Sequence, residues 1–201
     1  MAPAWIFFDI RGGVNFLAGL DAKTISLAIF PLVGLYALTL VWAQVILGSN
    51  LGFWGTVFPG IRTFHRAEGI FALLFALAHP ALRSFGYGPT ELWNDPTLGV
   101  SAGNEIWLVV GYLQLFLMIL TVSTALLMRT KLVAKHWHRI HYANYAVFGL
   151  AWLHSWWLGS DVQSTGLKYV WWFFAATAIA AVGTKIAVRR QRAKRLAAFE
   201  V

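Results

Sequence analysis

Five long apolar runs, separated by short connectors rich in glycine, proline and polar residues, organise the chain. They cover about 25–47, 64–85, 106–128, 138–158 and 169–188. A helix rising ~1.5 Å per residue needs ~20 apolar residues to cross a ~30 Å hydrocarbon core, and each run is long enough. The connectors carry turn chemistry: Gly48-Ser49-Asn50, Pro59-Gly60, the stretch 86–103 with its two prolines, and Gly159-Ser160-Asp161. Polar residues inside the runs are few. Gln44 interrupts the first, and the second carries His65, Glu68 and His79. The third has Gln114 and the pair Ser123/Thr124, and the fourth holds His141, Asn144 and His154. Residues 1–22 are apolar but broken by Asp9, Arg11, Gly12-Gly13 and Asp21, and lack the basic start and cleavage site of a signal peptide. They predict an interfacial segment. The expectation is an all-α integral membrane protein: an interfacial segment over 1–22, a bundle of about five transmembrane helices over 23–190, and a basic tail over 191–201.

Composition removes the alternatives. Of 201 residues, 59% are apolar and 12% charged. The charged share is about half that of a soluble domain, and a single soluble core of this length cannot bury so much apolar surface. The absence of cysteine excludes a disulfide scaffold, thiolate chemistry and iron–sulfur ligation.

The net charge of +8 reads as orientation. Twelve of the sixteen Lys and Arg lie on one side of the predicted spans: Arg62, Arg66, Arg129, Lys131, Lys135, Arg139, Lys185, Arg189, Arg190, Arg192, Lys194 and Arg195. The other side has Arg11, Lys23, Arg83 and Lys168 with six of the eight acids. The positive-inside rule puts the C-terminus in the cytoplasm of a plasma (inner) membrane and makes spans two and four parallel. Membrane lipid, and no nucleic acid, is the partner these charges imply.

Ionisable residues inside a span are costly and mark function. His65 and His79 are 14 residues apart on the second span, and His141 and His154 are 13 apart on the fourth. Both separations correspond to roughly 20 Å of helix. Parallel spans then place His65 level with His141 and His79 level with His154. Facing imidazoles at two depths, without cysteine or an acidic cluster, suit axial ligation of haem iron from both sides, giving two stacked bis-His haem sites. A polar network or a proton path is the other reading of the same residues. One geometric tension stands. Fourteen residues at ~100° bring His65 and His79 to one face, but thirteen leave His141 and His154 roughly 140° apart. The fourth span must be tightly wound, strongly tilted, or present its two rings from opposite flanks.

His136 and His138 share the run Lys135-His136-Trp137-His138-Arg139-Ile140-His141, which superficially resembles a zinc cluster. Beside Lys135 and Arg139 they read as solvated interfacial residues, with His141 the better ligand. Haem carries two propionates, so Arg62 and Arg66 at the inner level and Arg83 at the outer are candidate partners or, equally, snorkelling anchors. Glu68 is placed to hydrogen-bond a ligand imidazole, to carry a proton, or to pair with Arg66 or Lys135. Gly69 makes room for a flat ring or for helix packing. Phe71, Phe75, Phe148 and Trp152 are candidates for the space between the levels, or face lipid and core.

The sequence resembles the ferric reductase-like transmembrane domain family. That superfamily includes ferric reductases, NADPH oxidases and the haem-binding membrane subunit of the periplasmic methionine sulfoxide reductase system. The resemblance rests on Phe64-His65-Arg66-Ala67-Glu68-Gly69 and Leu77-Ala78-His79-Pro80, then on His138-Arg139-Ile140-His141-Tyr142-Ala143-Asn144-Tyr145 and Trp152-Leu153-His154. It covers roughly 25–190. It implies two b-type haems (haem b), with His65/His141 holding the inner one and His79/His154 the outer. It also implies electron flow from a cytoplasmic flavin reductase or quinol donor to an extracytoplasmic acceptor. Many relatives have six spans against the five counted here. Relatives fused to a dehydrogenase add FAD and nucleotide domains, but this sequence has no Gly-rich dinucleotide fingerprint, so FAD or FMN is expected on a separate polypeptide or a missing domain. Possession of all four histidines tilts the resemblance toward the reductase and oxidase branch.

The expected function is therefore that of an oxidoreductase component, a di-haem electron conduit without its own NAD(P)H site. A dedicated subunit for an extracytoplasmic sulfoxide reductase is the second reading within the family. A haem-free metal transporter is an alternative of another class, disfavoured by the scarcity of acidic residues and broken helices in the spans. An assembly subunit would leave the buried histidines unexplained.

Overall fold

The computed structural model describes residues 2–127, 130 and 134–199. Of the basic residues read for orientation, Arg129 and Lys131 lie outside the described residues. Helices dominate: α1 (Ala2–Asp9), α2 (Ala22–Ser49), α3 (Leu51–Val57), α4 (Ile61–Tyr87), α5 (Pro89–Asn94), α6 (Glu105–Leu126), α7 (Trp137–His141), α8 (Asn144–Leu158), α9 (Ser160–Ser164) and α10 (Leu167–Phe199). A 3₁₀ turn, Val14–Leu17, follows α1.

Four of these, α2, α4, α6 and α10, are long and apolar enough to cross a membrane. α2, α4 and α10 extend past the runs that predicted them, because capping and polar flanking residues continue the helix beyond the apolar stretch, whereas α6 ends at Leu126, just short of the end of its run. Asp21 caps α2 by accepting from the Thr24 amide at 2.9 Å, and Gly60 starts α4 from the left-handed region at φ 92°. The fourth run differs from expectation. It is divided into α7 and the 15-residue α8. At Tyr142–Ala143 the backbone tightens: Ala143 N–H donates to the Ile140 carbonyl at 2.9 Å and Tyr145 N–H to Tyr142 at 3.2 Å, both three residues back. α10 runs unbroken from Leu167 to Phe199 and takes in residues 191–199 of the predicted tail, whose last two residues lie outside the described ones.

The core is a set of helical stripes. Leu35, Leu38, Val41 and Val45 of α2 face Ala72 and Ala76 of α4, Met118 of α6, Val147 and Ala151 of α8, and Trp171, Phe174 and Ala178 of α10. The alanines allow close backbone approach, which drives association where lipid removes the hydrophobic incentive. Large apolar residues cover the outside instead: Ile179 is 74% exposed, Phe116 63% and Val109 59%, as lipid-facing side chains are. Tryptophan N–H groups bond across the bundle, Trp42 to Thr177 Oγ1 and Trp171 to Ser155 Oγ, each at 2.8 Å. The architecture is a multi-span helical membrane bundle.

Two antiparallel pairs set the register. Between α2 and α4, Gly34 meets His79, Gln44 meets Gly69 and Gly48 meets His65. Between α6 and α8, Gly111 meets His154 and Thr121 meets Asn144. Within each pair the residue numbers sum to a constant, so both contacts run in unbroken register along the helices.

Candidate functional site

The four candidate histidines come together in two pairs. The ring centroids of His65 and His141 are 6.2 Å apart with planes at 86°, and those of His79 and His154 are 6.4 Å apart at 88°. These pairings make α4 and α8 parallel, and the two levels are separated by roughly 20 Å of α4. The tightened turn before α8 relieves part of the 13-residue tension: each residue wound at ~120° instead of ~100° turns His141 about 20° further toward the face of His154.

The separations fit one metal between each pair. Two imidazoles on opposite sides of a metal, each nitrogen about 2 Å from it and about 1 Å from its own ring centre, stand about 6 Å apart between centres. A bare ion needs further ligands, and among the described residues no three His, Cys, Asp or Glu side chains gather to supply them. This also separates His136, His138 and His141: the first two are exposed, and only His141 faces His65. Haem asks less of the protein, because the porphyrin supplies the equatorial nitrogens and only the axial pair must come from side chains.

Space and tautomers support the same group. At the outer level His79 Nδ1 lies 2.7 Å from the Phe30 carbonyl and His154 Nδ1 2.7 Å from that of Trp107. Each carbonyl belongs to the residue four before the glycine that faces the ring, Gly34 or Gly111. A side chain at that glycine would cover the carbonyl, so its absence is what lets the ring reach it. An Nδ1–H bonded to a carbonyl leaves Nε2 as the free, ligating nitrogen. A cavity of about 770 Å³ takes in His79, His154, both glycines and Arg83, within the range of cofactor sites.

At the inner level, Asn144 Nδ2 lies 3.2 Å from His141 Nδ1, and Asn144 Oδ1 lies 2.8 Å from Thr121 Oγ1. An amide's O and N exchange places without moving other atoms. With the amide turned, Asn144 accepts from His141 Nδ1–H and donates to Thr121, whose hydroxyl keeps the Met118 carbonyl at 3.1 Å. Every group stays paired and Nε2 is freed to ligate. Gly48 faces His65, where a β-carbon would meet Cε1 at 3.1 Å.

The arginines part company. Arg83 is 9% exposed and its Nη2 donates to the carbonyls of Pro96 (3.0 Å) and Leu98 (2.6 Å), drawing that loop over the cavity. Arg62 and Arg66 are exposed, and no hydrogen bond or ion pair among the described residues brings either to the inner pair. Glu68 pairs with neither Arg66 nor Lys135. It is buried and accepts a close hydrogen bond from Gln44 Nε2, which also donates to the His65 carbonyl at 2.6 Å. Gly69 makes room for Gln44, whose Oε1 a β-carbon would meet at 3.2 Å. Phe148 is buried, Phe75 and Trp152 are half-buried against the core, and Phe71 is 58% exposed outside the bundle.

Sequence reasoning missed two features. Gly34, Gly48 and Gly111 are one, and their signal was present, since Gly34 and Gly48 repeat the 14-residue spacing of the histidines they face. The other is a clamp at the inner level. Lys185 Nζ donates to Tyr145 OH at 2.8 Å and Arg189 Nη2 to Tyr142 OH at 2.6 Å, pinning the turn beside His141 to α10. The pairs Lys185/Arg189 and Tyr142/Tyr145 have helical spacing, but along the sequence the cations carry only an orientation signal.

Compared with protein-family models, curated proteins and solved structures, the chain matches none.

Proposed function

We propose that this chain carries electrons across a membrane through two b-type haems, the inner held by His65 and His141 and the outer by His79 and His154. The observation that carries the reading is the pair of facing imidazole pairs, 6.2 and 6.4 Å apart, at two depths of one bundle. Bound there, haem supplies one-electron redox chemistry; the protein supplies ligation, spacing and low dielectric. Phe30, Trp107 and Asn144 orient three of the imidazoles, the glycines leave room beside the rings, and Arg83 closes the outer cavity. Arg83 is also the candidate partner for outer propionates, with Arg62 and Arg66 the candidates at the inner level.

The basic end of the bundle faces the cytoplasm in this reading, so the donor is a cytoplasmic flavin reductase or quinol and the acceptor is extracytoplasmic. The resemblance to ferric reductase-like domains agrees with both. A metal permease is less well supported, because neither histidine pair has a third ligand nearby among the described residues. The test is electron flow in proteoliposomes. Protein loaded with haem should pass electrons from external dithionite to enclosed ferricyanide, and His79→Ala should abolish the flow. Equal rates with wild type and variant would refute the conduit.

A further inference from the structure

Three of the four histidines have a partner for Nδ1: Phe30 O, Trp107 O and Asn144. His65 is the exception, its Nδ1 buried with no partner among the described residues. Glu68 Oε1 is likewise buried and unpartnered. These two orphans lie one turn apart on α4, and residues three apart on a helix share a face. Helical side chains lean toward the N-terminus, so the Glu68 carboxyl reaches back over the turn that carries His65. Gln44 holds it there, bridging from α2 to Glu68 Oε2 and to the His65 carbonyl.

The outer level differs in how its ring meets α2. His79 turns Nδ1 and Cε1 to its glycine and so reaches the carbonyl of α2. His65 turns Cε1 and Nε2 to Gly48 instead, and its Nδ1 finds no carbonyl there. A buried carboxyl without a cation is costly, and among the described residues the one ion pair is Arg11–Asp161, away from this site.

We propose that Glu68 is the hydrogen-bond acceptor for His65 Nδ1–H, a positioning residue that sets the reduction potential of the inner haem. The inference rests on the haem reading above. A carboxylate on the far nitrogen makes a metal-bound imidazole more basic and favours the oxidised, more positive iron. The outer haem, whose ligands use neutral carbonyls, lacks this bias.

The test is a spectroelectrochemical titration of wild type, Glu68→Gln and Glu68→Ala, each with haem quantified and low-spin EPR signals recorded. The inner signal is the one missing in His65→Ala. Its midpoint should rise in both Glu68 variants by at least a tenfold change in equilibrium constant, 59 mV for one electron. The outer midpoint should move much less. Unchanged midpoints in variants that keep both haems would overturn the assignment, as would equal shifts of both haems. A folded wild type without haem would defeat the conduit itself, a result distinct from two haems with unmoved potentials.

Discussion

A β-carbon at Gly34 would stand 2.9 Å from both Cε1 and Nδ1 of His79, closer than such atoms approach in proteins. Fourteen residues along the same helix, Gly48 faces His65 with its nearest approach at 3.1 Å. On α6, a β-carbon at Gly111 would collide with the His154 ring more severely than either. The alanine series therefore has a predicted order. Gly111→Ala and Gly34→Ala should weaken the outer haem by about fivefold or more, as overpacking by about 1–3 kcal/mol requires, while Gly48→Ala should have a milder effect on the inner one. Haem retention after gel filtration reads the order, and equal retention in all three variants would contradict it.

Much of this site was legible because its spacing is local. Two histidines 14 apart and two 13 apart announce themselves on any apolar run. The glycines are a relation between helices: Gly34 means nothing until the register of α2 against α4 places His79 on it. The same holds for Gln44, whose role lies in reaching Glu68 on another helix. The division of the fourth run at Tyr142–Ala143 had no proline or glycine to signal it. What accompanies it is tertiary: Lys185 and Arg189 fasten both tyrosines to α10.

That clamp makes a second prediction. Lys185→Met removes the cation from Tyr145, which also meets Ser49 Oγ at 3.3 Å. A hydrogen bond to a charged group contributes about 1.5–3 kcal/mol, so the turn beside His141 should loosen and the inner haem should dissociate about tenfold more readily. The outer haem should be unaffected. Loss rates of the two haems to apomyoglobin measure this, and parallel changes in both would place the clamp's effect on the whole bundle.

Asp21 supplies a pH dependence outside the membrane. Its hydrogen bonds from the Thr24 amide and hydroxyl hold its carboxyl below the ordinary range. A carboxylate depressed in the folded state stabilises above its unfolded pKa of about 3.9 and loses that contribution as pH falls through the folded value. Asp21→Ala should thus lower Tm at pH 7, and the gap from wild type should close below about pH 4. A gap constant from pH 7 to pH 3 would mean that the carboxylate's charge plays no part in the cap.

The most direct measurement is a reduced-minus-oxidised spectrum of the purified protein, with haem quantified per chain, in wild type, His65→Ala and His79→Ala. Two low-spin b-type haems per wild-type chain and one in each variant are predicted. A folded wild-type protein containing no haem, or variants that retain the wild-type content, would contradict the pairing of His65 with His141 and of His79 with His154 around two irons.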